Sequence, residues 1–145
     1  MQKIYKFIGS NLNHLITNIM NVPENCKYSQ KHEWVRVDGD EAFVGITDYA
    51  QGELGDIVYI EIETVGEKLA KGETYGTIEA VKTVSDMFMP VSGEILEFNE
   101  KLEDDAELVN KDPFGEGWMI RISIDNPSDL DELLSPEQYK ELISA

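Results

Sequence analysis

Apolar and polar residues alternate with a period of two over much of the chain between Tyr28 and Ile124. That is the pattern of strands with one face buried and the other in water. Residues 34–38 predict a first strand, with Trp34, Arg36 and Asp38 on one side and Val35 and Val37 on the other. Asp38-Gly39 predicts a tight hairpin turn, because a primed turn needs positive φ, and residues 42–46 form the return strand. Thr47 is placed to cap a short helix over residues 48–51, with Gly52 and Gly55 breaking it. Residues 57–62 predict a strand with Val58, Ile60 and Ile62 on one face, and Tyr59 is assigned to the core. Further β-rich runs cover residues 75–81 and 87–98, the second with its strand at 91–98. A loop follows at 112–117. Residues 118–124 form a last strand, with Trp118, Ile120, Ile122 and Ile124 in register.

The period then lengthens. Ser135-Pro136-Glu137-Gln138 has the form of a capping box, with Ser135 as cap, proline at the first helical position and Gln138 reaching back. Tyr139, Leu142 and Ile143 follow at helical spacing and predict a face packed on the sheet. Residues 1–22 also carry apolar residues at helical spacing (Ile4, Phe7, Ile8, Leu15, Ile16, Ile19), with two lysines and no acid. The absence of arginine and the scarcity of serine argue against a mitochondrial presequence. The lack of a continuous apolar core and of a small-residue cleavage site argues against a secretory signal. The reading adopted is an N-terminal extension over 1–22, a mis-assigned start upstream of Met20 or else a weak presequence, followed by one domain over 23–145.

One lysine stands out against this pattern. Lys82 lies between the β-rich runs 75–81 and 87–98, which places its amine at a hairpin tip, facing water. Gly66-Glu67-Lys68-Leu69 is echoed by Asn99-Glu100-Lys101-Leu102, and Lys82 lies 16 residues after Gly66 and 17 before Asn99. Gly66 and Asn99 both suit a left-handed turn. Two β-rich halves meeting at Lys82 predict a small sandwich with approximate two-fold symmetry. Read alone, the lysine is one more solvated surface residue. Its central position singles it out.

Six segments carry a resemblance. They are Lys31-His32-Glu33-Trp34, Gly45-Ile46-Thr47-Asp48-Tyr49-Ala50-Gln51, Leu54-Gly55-Asp56-Ile57-Val58-Tyr59-Ile60-Glu61, Glu79-Ala80-Val81-Lys82, Pro90-Val91-Ser92-Gly93-Glu94 and Gly117-Trp118-Met119. In this order they resemble the H proteins of the glycine cleavage system, relatives of the lipoyl and biotinyl carrier domains. The resemblance implies a mainly β fold, the lipoyl/biotinyl-type hammerhead β-sandwich with pseudo-two-fold symmetry, a short helix near 47–51 and C-terminal helices. It implies lipoate in amide linkage to Lys82, an acylation that removes the charge. It also implies a carrier and not an enzyme. The arm on Lys82 takes an aminomethyl group from a pyridoxal-phosphate glycine decarboxylase (P protein) to an aminomethyltransferase (T protein). A dihydrolipoamide dehydrogenase (L protein) then reoxidises it, and a lipoate ligase or lipoyltransferase installs it. In the family the loaded arm can fold against its own protein, and by position Glu33, Tyr49 and Asp86 are the candidate arm-docking surface. Some relatives carry histidine where this chain has Tyr49. His32 and Trp34 are read as structural.

Charge sharpens the picture. The formal net charge is −17, and residues 1–27, with three lysines and Glu24, account for +2, which leaves −19 on the rest. Such a surface repels phosphate backbones and anionic membranes, which argues against nucleic acid and membrane as partners. It steers the protein towards basic faces. The acidic run Glu103-Asp104-Asp105 reads as a solvated loop. A single cysteine, Cys26, excludes an intrachain disulfide. The two histidines, His14 and His32, have no metal-ligand spacing, so no metal site is expected, and no catalytic residue is assigned. These features fit a bacterial cytoplasm, or a mitochondrial matrix should residues 1–22 be a presequence.

Other readings stay open on the residues alone. A biotinyl site has methionine on both sides of its lysine, where this chain has Val81 and Thr83, and a 2-oxoacid dehydrogenase lipoyl site has aspartate just before it. A lipoate-relay protein and an unmodified acidic interaction module are further alternatives. A catalytic Lys82 would need a desolvated amine with a depressed pKa, which a hairpin tip does not supply.

Overall fold

The computed structural model describes residues 20–144. The expectations for residues 1–19 lie outside the described residues. Among the described residues, nine strands form two antiparallel sheets, in keeping with the period-two pattern. The larger sheet has the order β1-β2-β3-β9-β8-β5, with β1 at Lys27–Tyr28, β2 at Glu33–Asp38, β3 at Glu41–Ile46, β5 at Lys68–Leu69, β8 at Gly93–Phe98 and β9 at Ile120–Ser123. The smaller has the order β4-β6-β7, with β4 at Ile57–Glu61, β6 at Thr74–Ala80 and β7 at Val84–Phe88. One apolar core joins them: Val35, Val44, Ile95, Ile120 and Ile122 from the large sheet meet Ile57, Ile60, Ile78 and Met87 from the small one. Among the described residues no closed barrel forms, and the sandwich is the fold the resemblance implies.

Gly39 takes φ 68° in the β2–β3 turn, as expected. Thr47 caps α1 by accepting a hydrogen bond from the Ala50 amide at 3.2 Å. The helix runs over Asp48–Leu54, however, past Gly52. A single glycine inside a helix costs only about 1 kcal/mol, and the stop is Gly55, whose φ of 81° lets its N–H close on the Gln51 carbonyl.

Strand β4 departs from the expected alternation. A bulge between Ile57 and Tyr59 lets both Val58 and Tyr59 face outward, 53% and 51% exposed, while Ile57 and Ile60 are buried. An extra residue on one strand resets which side chains point inward, so Tyr59 is a surface residue and not core. The run 87–98 also divides. β7 ends at Phe88, residues 89–92 cross over, and β8 joins the other sheet.

The two echoed tetrapeptides take different structures. Gly66 has φ 92° ahead of strand β5, whereas Asn99 has no positive φ and precedes the one-turn helix α2 (Lys101–Asp104). Asn99 is buried because its amide donates to the carbonyls of Glu116 and Trp118, at 2.7 and 2.8 Å, and so pins the loop before β9. Glu103 and Asp104 lie within α2, exposed, with Asp105 as its exposed C-cap. A second single turn, α3, covers Leu108–Lys111.

After β9, Asn126 leads into a 3-10 helix at Pro127–Glu132, and α4 follows at Pro136–Ser144. The capping box forms as expected: the Gln138 amide donates to Ser135 Oγ at 3.2 Å, and the Ser135 amide donates to Gln138 Oε1 at 2.9 Å. Tyr139 is buried and Ile143 partly so, but Leu142 is 39% exposed. The helix covers a small second core of Tyr28, Trp34, Phe114 and Tyr139, and this narrow patch reaches only one stripe of the helix.

Candidate functional site

Strands β6 and β7 meet in a turn closed by Ala80 N–H donating to the Thr83 carbonyl at 2.8 Å, with Val81 and Lys82 as its two central residues. The Val81 N–H donates to the Asp56 carbonyl at 3.0 Å, so the segment entering β4 braces the tip. Residues 81–84 are all exposed. Val81 and Val84 flank the lysine as apolar surface, and below them Glu79 stands opposite Val84 on one side and Tyr59 on the other. The amine is therefore held out from the body of the protein on a braced hairpin. An electrophile can approach it there.

Beside this hairpin lies a groove of about 340 Å³. Strand β7 supplies Ser85, Asp86 and Met87, the turn before β2 supplies Lys31 and His32, β2 supplies its first residue Glu33, and α1 supplies Tyr49, Ala50, Glu53 and Leu54. Ile46 and Ile78 complete an apolar floor. Glu33, Tyr49 and Asp86, which sequence placed far apart, thus line one cavity. Lys82 stands outside it, four residues up the chain from Asp86.

Glu33 is 3% exposed. Ser29 Oγ donates to its carboxylate at 2.6 Å, and Glu33 N–H donates back to Ser29 Oγ at 3.0 Å. Burial pushes the carboxyl up to about 7, against the opposing pull of the Ser29 hydrogen bond, the Phe88 amide and the Lys31 ammonium. Lys31 itself rests over the Phe88 ring, 3.8 Å from its centroid. The Tyr49 hydroxyl is raised above its ordinary value by the adjacent Glu53 carboxylate, one turn along α1.

His32 is the one non-glycine residue at positive φ among the described residues, at 70°. Its ring lies 4.9 Å from that of Tyr49, and its Nδ1 shares a 2.8 Å hydrogen bond with the Tyr139 hydroxyl. Burial lowers its pKa, partly offset by Glu53. Trp34 is fully buried, and its Nε1 donates to the Pro113 carbonyl at 3.0 Å. Cys26 is buried, and burial pushes its thiol up, the opposite of nucleophile activation. No group of three metal-ligating side chains forms among the described residues.

Three residues of this region are not assigned to the site by the sequence. Glu53 was hidden by ending the helix at Gln51; extending α1 to Gly55 would have placed it at i+4 from Tyr49. Lys31 stands in a matching segment and Tyr139 on the packed face of the last helix, but no local pattern links either to the groove, because their neighbours there come from β7 and from the turn before β2.

A family model described as Glycine cleavage H-protein matches residues 26–145. The Glycine cleavage system H protein of Bacteroides fragilis is 58% identical over 126 residues, covering 87% of this chain and 100% of that protein. Its counterpart from Bacteroides thetaiotaomicron is 59% identical over 125 residues, 86% of this chain and 99% of that one. The crystal structure of a glycine cleavage system H protein from Mycobacterium marinum superimposes with a TM-score of 0.76 at 36% identity, covering 83% of this chain and 97% of that one.

Proposed function

The chain belongs to the glycine cleavage H-protein family, and from that premise we propose that Lys82 is the residue that carries its lipoyl group. An H protein is the lipoyl-carrying shuttle of the glycine cleavage system and catalyses no step itself. The observation that carries the assignment is the placement of Lys82 at the exposed centre of a braced two-residue turn. A ligase can reach the amine there without opening the fold.

The surroundings fit the group. The arm would leave the tip past exposed Val81 and Val84. The groove rim at Asp86 lies four residues away, about 13 Å along a strand, and the floor of Ile46, Ile78 and Met87 suits an aliphatic chain. When bound, the lipoyl dithiolane supplies a carrier sulfur for the aminomethyl cargo and cycles between disulfide and dithiol. We assign Glu33, Tyr49 and Asp86 to the surface that receives the arm. Glu33 and Asp86, with Glu53 beside them, give this surface three acids suited to a cationic cargo, and the apolar floor excludes water. Tethering keeps the cargo at high local concentration at each docked enzyme.

The partners proposed are glycine decarboxylase, aminomethyltransferase, dihydrolipoamide dehydrogenase and a lipoate ligase or lipoyltransferase. The net −19 beyond residue 27 favours basic docking faces. A bacterial cytoplasm is the proposed location. No helix among the described residues is long and apolar enough to cross a membrane. Peptide mass spectrometry on protein purified from its own host tests the assignment. A lipoyl-sized adduct on the Lys82 peptide is expected, and an unmodified Lys82 in a cell whose other carriers are lipoylated overturns it.

A further inference from the structure

The wall of the groove is held by a residue that does not touch it. Tyr139, buried on the C-terminal helix, places its hydroxyl 2.6 Å from Thr47 Oγ1 and 2.8 Å from His32 Nδ1. A tyrosine hydroxyl donates one hydrogen bond and accepts others, so one oxygen satisfies both neighbours. Thr47 is the cap of α1, accepting from the Ala50 amide. His32 is the strained residue whose ring lies against Tyr49. The two partners are tied a second time, because Thr47 N–H donates to the His32 carbonyl at 3.0 Å. The Tyr139 ring is fixed independently by stacking on Tyr28, with centroids 4.6 Å apart and planes 13° from parallel. Helix α4 therefore delivers one rigid hydroxyl to the point where the two groove-lining segments, 31–33 and α1, meet.

We propose that Tyr139 is a positioning residue for the carrier groove: its hydroxyl joins His32 to the cap of α1, holds Tyr49 and Glu53 over the groove, and so sets how well a docked arm is sheltered from water. This rests on the reading of the groove as the arm's docking surface. The mechanism is local. Without the hydroxyl, His32 loses the partner that orients its ring and holds its left-handed backbone, and Thr47 is left to the Ala50 amide alone. Helix α1 is seven residues long, too short to hold itself without its cap and its packing.

The test compares Tyr139→Phe with Tyr28→Phe in the full chain. Both remove a hydroxyl from the same stacked pair, but that of Tyr28 donates to the Pro23 carbonyl and has no link to the groove. In Tyr139→Phe, hydrogen exchange at the Ala50 and Gln51 amides is expected to rise about tenfold, the scale of one lost buried hydrogen bond, with the sheet amides unchanged. In the lipoylated, cargo-loaded protein kept apart from its partner enzymes, the spontaneous loss of cargo is expected to quicken several-fold. That loss breaks the carbon–sulfur bond with water, giving the thiol, formaldehyde and ammonium. Tyr28→Phe is expected to change neither readout.

Unchanged α1 exchange or unchanged cargo lifetime in Tyr139→Phe overturns the proposal, as does an equal effect of both variants, which would mark general loosening. Tyr49→Ala and Asp86→Asn separate the two levels. If they shorten the lifetime and Tyr139→Phe does not, the positioning role fails and the docking reading stands. If none of the three does, the docking reading fails and takes the positioning role with it.

Discussion

Trp34 stands directly opposite Gly45 in the β2–β3 ladder, and a Cβ at residue 45 would lie 2.8 Å from the indole ring. The indole occupies the space that every other residue's side chain would need. Gly45→Ala must therefore push the tryptophan off its position or bend β3, and overpacking of this kind costs about 1–3 kcal/mol. Chemical denaturation should show a lowered midpoint of that size; an unchanged midpoint would mean the ring yields freely.

The converse change empties the site. Trp34 is fully buried between Phe114 and the Arg36 guanidinium, and its Nε1 is the donor to Pro113 O. Trp34→Ala is expected to lower stability by about 3–5 kcal/mol, the loss for a large aromatic that leaves a cavity. The loop at 112–117 should lose protection from proteolysis first, because the tryptophan is its anchor.

What the sequence revealed and what it hid divide along the range of the interaction. The Ser135 capping box, the Thr47 cap and the Gly39 turn rest on residues within four positions of each other, the Lys82 hairpin on two neighbouring β-rich runs, and all four form. Tyr59 was misplaced because a bulge is decided by the partner strand β6, and its period-two pattern holds no trace of it. Asn99 looked like a turn residue, yet its amide is taken by carbonyls 17 and 19 residues away. The groove is the extreme case. Resemblance named Glu33, Tyr49 and Asp86, but their meeting in one cavity, the burial of Glu33 and the reach of Tyr139 across 107 residues to His32 depend on the packed fold.

Lys82→Arg separates attachment from folding. The side chain lies on an exposed tip and forms no part of either core, so stability should stay within about 0.5 kcal/mol. The guanidinium offers no amine for the lipoyl amide, and the variant should show no mass increase after incubation with a lipoate ligase and its substrates. A lipoyl adduct on the variant would move the attachment site to another lysine.

Glu33 makes the stability of the protein depend on pH in a direction opposite to that of a salt-bridged carboxylate. Its carboxyl titrates near 7 in the folded protein, against 4.5 as its ordinary value, because burial disfavours the charge. Between those values the folded state holds a proton that the unfolded state has released. Stability from this group is therefore full below about pH 4.5 and falls as pH rises through 7. The whole shift corresponds to a loss on the order of 3 kcal/mol. Glu33→Gln keeps an acceptor for Ser29 and cannot ionise, so the variant should gain on the wild type by that order between pH 5 and pH 8. Urea denaturation of both proteins across this range measures the gap directly. A constant difference would mean that Glu33 stays in one charge state throughout, with water or Lys31 relieving its burial.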